Sequence, residues 1–256
     1  MGLFDNLSEI EKLGALENSS ERLKLYIIDW ICSNYMQNFN KKNICERFRI
    51  YVDMNTNPPT VDYDGDLYAN INMTTLCNNG LFQWGKVNGN FKCVLCESLT
   101  SLEGAPKEVE GEFNCADCNS LETLKGAPEK VGGDFGCADC DNLKSLEGVP
   151  KKINGSFDCS FCDSLTNLKG APEKVKGYFN CAYCASLESL EGSPKVVGGD
   201  FGCSNCKSLE SLEGGPEVVG GNFSCIQCTS LKTLDGGPIK IEGVFDHRGC
   251  ESLTWR

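Results

Sequence analysis

The stretch FNCADCNSLETLKGAPEKVGGD, Phe113 to Asp134, decides the fold, because it returns at a fixed 22-residue step along the C-terminal two-thirds of the chain. Phe91, Phe113, Phe135, Phe157, Phe179, Phe201, Phe223 and Phe245 hold the same slot, with no insertion or deletion between them. A period of this kind marks a solenoid, in which one unit cannot bury its own apolar side and must stack on its neighbours. Within the unit, Phe113 and Cys115 alternate with Glu112, Asn114 and Ala116, the period-2 pattern of a short strand with one buried face. Beyond Cys118 come Leu121 and Leu124, then Gly126, Ala127, Pro128, Val131 and Gly133. Glycines before the proline and two residues before each Phe supply permissive backbone at two bends. The proline recurs from Pro106 to Pro238. It fixes φ and offers no N–H, which argues against a helix on that side. Each turn therefore reads as strand, bend and extended return.

The run Phe-x-Cys-x-x-Cys-x-x-Leu-x-x-Leu resembles the leucine-rich repeat pattern L-x-L-x-x-(N/C)-x-x-L, with Phe and the first Cys in place of two leucines and the second Cys in the ladder slot. The resemblance implies that the ladder residue closes each strand by hydrogen-bonding the backbone of the turn that follows. It covers about residues 61–256. The Gly-rich spacer LEGAPKEVEGEF is similar to short repeats of bacterial and phage proteins, which implies a viral or bacterial product acting on a partner such as a host protein. The chain departs from the family in its cysteine density and in lacking a helix in the return.

The expected architecture is thus an α+β repeat protein, a strand-rich leucine-rich-repeat-like solenoid with a small N-terminal helical cap. Residues 1–60 read as cap and connecting strand, and 61–256 as one degenerate repeat plus eight 22-residue repeats. Leu23, Ile27, Trp30, Ile31, Tyr35 and Met36 predict a helix over Ser20–Asn38 behind a Ser20 and Glu21 start, and an earlier short helix is expected over Leu3–Leu16. The segment FRIYVDMNTNPPTVDYDGDLYAN predicts two short strands around a turn at Asn57, Pro58 and Pro59. In the degenerate first repeat, Leu67, Ala69 and Asn72 are expected in the slots of Phe and the two cysteines.

Lys plus Arg number 24 against 36 Asp plus Glu, a formal net charge of −12. Such a balance speaks against nucleic acid and anionic membrane, and leaves basic or neutral protein partners. The start MGLFDNLSEIEKLG carries acids where a secretory signal needs a basic start and a long apolar core. Asn6 stands where a myristoylation signal needs Ser or Thr, and the run from Leu25 is too short to span a bilayer. The sequence reads as a soluble, cytoplasmic monomer.

Eighteen cysteines include seven C-x-x-C pairs, from Cys93/Cys96 to Cys225/Cys228. C-x-x-C is a half-site for zinc or an iron–sulfur cluster, and His247 with Cys250 would extend the series. Free Cys is also a small hydrophobe suited to a tight core column. Tetrahedral metal sites would have to alternate between repeats, whereas every repeat carries the same pair, so the thiols are read as core and no metal or other cofactor is assigned. A disulfide framework does not suit a reducing compartment. No nucleophile, base and orienter recur together, and an enzyme is not expected. The column Glu103, Lys125, Glu147, Lys169, Glu191 predicts opposite charges on neighbouring turns, and the Ser or Asn before each first leucine predicts bonds to turn backbone.

What varies between copies lies in the outward strand slots. Aromatic Phe161, Tyr178 and Tyr183, with Glu112, Asp134, Asp158 and Asp200 around them, mark the candidate partner-binding surface, because aromatic anchors dominate protein interfaces. The reading is a non-enzymatic protein–protein interaction module; the alternative is a metal-binding protein built on the C-x-x-C pairs.

Overall fold

A strand as short as two residues gains nothing alone, so the repeat forms only by stacking. The structure, a computed structural model, describes residues 19–35 and 50–253. It is a parallel β-solenoid of about eight turns with one helix, α1 (Ser19–Tyr35), among the described residues. The helix expected over Leu3–Leu16, and the positions Met36 to Asn38, lie outside those residues. After the helix, β1 (Ile50–Asp53) and β2 (Thr60–Tyr63) form the expected antiparallel pair, Ile50 opposite Tyr63.

The front of the solenoid is a nine-stranded sheet of β3 (Leu67–Tyr68), β5 (Phe91–Lys92), β7 (Phe113–Asn114), β9 (Phe135–Gly136), β11 (Phe157–Asp158), β13 (Phe179–Asn180), β15 (Phe201–Gly202), β17 (Phe223–Ser224) and β19 (Phe245–Asp246). All its pairings are parallel and set Phe on Phe, with Leu67 on Phe91 at the start. From Phe91 to Phe245, neighbouring ring centroids lie 5.1 to 5.7 Å apart, one continuous column inside the coil. The two leucines of each turn close the core beside it.

The extended return also forms ladders, which the sequence reading did not anticipate. Its strands are β4 (Gln83–Val87), β6 (Glu108–Val109) and β8 (Lys130–Val131), continuing the sheet begun by β1 and β2. A second five-stranded sheet follows: β10 (Lys152–Ile153), β12 (Lys174–Val175), β14 (Val196–Val197), β16 (Val218–Val219) and β18 (Lys240–Ile241). Each return strand turns one apolar residue, such as Val131 or Ile153, inward and leaves its neighbour to solvent.

Helix α1 closes the first end. Ile27 and Ile31 are fully buried, Tyr35 packs on Phe91 and Trp84, and Trp30 meets Phe82. The Tyr35 hydroxyl and the Trp84 indole N–H both donate to the Leu76 carbonyl, at 2.8 and 2.9 Å, which seats the polar tips of two buried aromatic rings. In the first repeat Leu67 and Ala69 stand in line with Phe91 and Cys93, but Asn72 does not take the ladder slot. Asn72 is exposed, and it is the Asn70 carbonyl that accepts the Cys96 thiol at 3.4 Å. The chain there runs two residues short after the strand and makes up the length later, between Leu76 and Val87.

Candidate functional site

The cysteines resolve first. Both members of each pair from Cys93/Cys96 to Cys225/Cys228 are fully buried, and all the cysteines among the described residues are free. From Cys118 on, each second cysteine, and Cys250 after them, donates its thiol to the carbonyl of the first cysteine one turn earlier: Cys118 to Cys93 at 3.0 Å, Cys162 to Cys137 at 3.2 Å, Cys250 to Cys225 at 3.1 Å. The ladder residue thus ties back to the preceding turn, the reverse of the direction the resemblance implied. Among the described residues no group of three or more His, Cys, Asp or Glu is placed to hold a metal ion. Burial pushes Cys140 and Cys184 up to about 12, and lifts Cys115, Cys137, Cys159 and Cys181 well above the ordinary thiol value. Buried, protonated thiols of this kind are packing groups and poor nucleophiles. His247, edge-on to the Phe245 ring at 5.5 Å, belongs to the last turn.

The residue before each second cysteine has a distinct backbone. Leu95, Asp117, Asp139, Phe161, Tyr183, Asn205 and Gln227 all have φ between +53° and +61°, and Gly249 takes the slot in the last turn at +75°. The left-handed region suits Gly, Asn and Asp and is unfavourable for bulky side chains. A signal for it stood in the sequence: Asp, Asn and Gly fill half of this slot. The conformation turns the residue out of the coil, so the seven side chains from Leu95 to Gln227 line up along the front.

In this column Phe161 and Tyr183 stack, ring centroids 4.5 Å apart and planes 5° from parallel. They remain 43% and 47% exposed, so the stacking is not a consequence of burial. Tyr178, before the Phe179 strand, is also exposed, and its hydroxyl is held above its ordinary value by partial burial and then by Asp158, Asp134 and Glu112. Toward the N-terminal end the same column continues as Asp139 and Asp117. Asp139 is raised by desolvation and then by the negative charge of Asp117, Asp141, Asp158 and Asp163. From Phe113 to Phe223, the residues before and after each Phe and the left-handed residue include no Lys or Arg.

The acidic residues singled out from sequence are anchored in different ways. The carboxylates of Asp134 and Asp200 each accept the backbone N–H of the same slot one turn on, Ser156 at 2.7 Å and Asn222 at 2.6 Å. Asp158 accepts from the Ser160 N–H, the Ser160 hydroxyl and the Asn180 amide. Glu112 pairs with Lys92 and accepts from Asn114. All four carry negative charge on the front while bracing it. Sequence reasoning placed Asp117 and Asp139 in outward slots of the same face but did not count them among the partner-binding residues.

Elsewhere the expected columns hold in part. Lys169 and Glu191 pair at 3.0 Å, and Asn142, Ser208 and Ser252 donate to turn carbonyls at 2.7 Å. A second column had gone unread: Ser101, Thr123, Ser145, Asn167, Ser189, Ser211 and Thr233 each accept the N–H two residues on. No helix among the described residues is long and apolar enough to cross a membrane. No protein-family model matches the chain, and neither a curated protein nor a solved structure shows significant similarity to it.

Proposed function

We propose that this protein is a non-enzymatic interaction module of the leucine-rich-repeat kind, binding a protein partner across the front between the turns of Phe135 and Phe201. The observation that carries the reading is the Phe161 and Tyr183 pair. Two bulky side chains sit in left-handed backbone, at a cost of about 1 kcal/mol each, and stay exposed, so core packing does not offset that cost. Stacked, preformed rings lose little freedom on binding, which is what an interface anchor needs. The acidic, cation-free surroundings select a basic or neutral partner and disfavour nucleic acid. Free thiols throughout the core suit a reducing, cytoplasmic setting.

The experiment is affinity capture from host lysate with the natural protein, with a Phe161→Ala, Tyr178→Ala, Tyr183→Ala variant, and with a return-side Lys130→Ala, Lys174→Ala variant, each checked for unchanged melting. Loss of one captured protein in the front variant alone supports the reading. A capture profile that the front variant leaves unchanged refutes it.

A further inference from the structure

The front offers one seat whose chemistry is narrower than "a basic partner". We infer that Phe161 and Asp139 together receive the guanidinium of an arginine carried on the partner. This rests on the reading of the front as the binding face.

Phe161 and Tyr183 stack along the column, so Tyr183 covers one face of the Phe161 ring. The opposite face is turned along the column toward the next slot, and that slot holds Asp139. Asp117 follows Asp139 in the same left-handed column, and the outward slots of these turns carry no Lys or Arg. A single group satisfies an exposed ring and a carboxylate one slot along the column: a planar cation that stacks on the ring while its fork of N–H donors meets the carboxylate. Guanidinium is that group. A lysine ammonium takes the carboxylate as a point charge but cannot stack and fork at once.

The site favours a side chain on a partner segment over a free small molecule. A wide groove of about 520 Å³ lies on the return side among Glu108, Lys130, Pro150 and Lys152. The front is an open sheet of ladders, which suits an extended segment laid across it.

The test uses the full chain and two short peptides, one alternating arginine with glycine and one alternating lysine with glycine, followed by fluorescence anisotropy at physiological ionic strength. The arginine peptide is expected to bind about fivefold more tightly, the margin of an exposed cation–π contact. Phe161→Ala is expected to erase that margin and leave the lysine peptide unchanged, Phe161→Tyr to keep it, and Asp139→Asn to weaken both peptides. Should Phe161→Ala fail to fold, Phe161→Leu keeps the apolar bulk, removes the ring face and reads the same margin. Equal affinity for the two peptides, or a margin that survives loss of the ring, overturns the inference. If neither peptide binds while capture still loses its partner in the front variant, the arginine seat falls and the binding face stands. If capture ignores the front variant as well, both fall.

Discussion

In the regular repeats the front and the return are both built from two-residue strands, yet the front sheet runs unbroken through nine strands while the return splits into two sheets of five. The front is fastened three times per step. Its backbone ladder is reinforced inside by the thiol of the second cysteine and outside by side chains such as Asn90, Asp134, Ser156 and Asp200 that accept the next turn's N–H. The return has only its ladder and a set of exposed ion pairs, Lys130 with Glu108 or Lys195 with Glu217, each worth well under about 1 kcal/mol. One misfit residue is enough to break it.

That misfit is Val149. Other turns place Ala, Ser or Gly in its slot, as at Ala127, Ala171 and Gly215. The turn bond to the second leucine is 3.0 Å at Ala127 and Ala171 and stretches to 3.5 Å at Val149. Gly148 opens to a φ of +113°, where the same glycine elsewhere lies between +82° and +92°. A β-branched side chain in a space fitted to alanine has pushed the return outward. No bond then joins β8 to β10, although Gly132 still reaches Val109 on one side and Lys176 reaches Ile153 on the other, at 2.9 and 3.1 Å. The lesson is that this solenoid is held from its front, and the return follows.

If so, alkaline conditions should attack it most strongly, through the front thiols. Except for Cys228, which its hydrogen bond with Cys203 holds down, the folded values of the paired thiols lie above the unfolded value, so the unfolded chain loses its protons first. The stability they confer is complete below about pH 8.5 and falls as pH rises toward 12. Each such thiol costs about 1.4 kcal/mol per pH unit above its unfolded value, and a handful together exceed the roughly 5–15 kcal/mol that holds a typical domain. Circular dichroism is expected to show cooperative unfolding below about pH 11, a range in which the carboxylates of the return stay charged. A fold intact beyond that point would mean the column does not hold protonated thiols.

Next in size is the ring column. Phe157→Ala removes a fully buried ring with neighbours on both sides and is expected to destabilise by about 3–5 kcal/mol. Phe245→Ala, in a half-exposed end turn, is expected to cost clearly less. Equal melting temperatures for the two variants would contradict a core built by stacking.

The break itself is read by hydrogen exchange. Amides of Lys151, Lys152 and Asn154 are expected to exchange at least about tenfold faster than those of Glu173, Lys174 and Lys176, the margin of one lost hydrogen bond of about 1.4 kcal/mol. In Val149→Ala the two sets should converge. Failure to converge would move the cause away from Val149. The smallest effect concerns Ser193, whose buried hydroxyl has no hydrogen-bond partner in a slot that holds alanine in three other turns. Ser193→Ala is expected to stabilise by about 1 kcal/mol, seen as a raised melting temperature, and a lowered one would show that the hydroxyl is satisfied in solution.

Much of this was legible in the sequence. The Phe slot, the buried thiols, the helix through Tyr35 and the hairpin around Asn57 to Pro59 follow from period and residue type alone. What escaped depends on which backbone atoms meet across turns. A two-residue return strand such as Lys130–Val131 has too little length to show alternation. Asp134 and Asp200 look like free charges until the N–H one turn away is in place. Asn72 misses the ladder slot because the first repeat is two residues short between Leu67 and Leu76 and over-long between Leu76 and Val87, so the count from Leu67 to Phe91 shows only the net surplus and hides the shift. The left-handed slot was marked by Asp117, Asp139, Asn205 and Gly249, but the aromatics Phe161 and Tyr183 in the same slot concealed the pattern.

The claim that the front recognises a partner and the return serves as scaffold is tested most directly by photo-crosslinking. A photoreactive phenylalanine analogue is placed at Phe161 in one preparation and at Lys174 in another, and each is irradiated in host lysate. The account predicts a single crosslinked protein from position 161 and none from position 174. A crosslink that forms from 174 and not from 161 would contradict it.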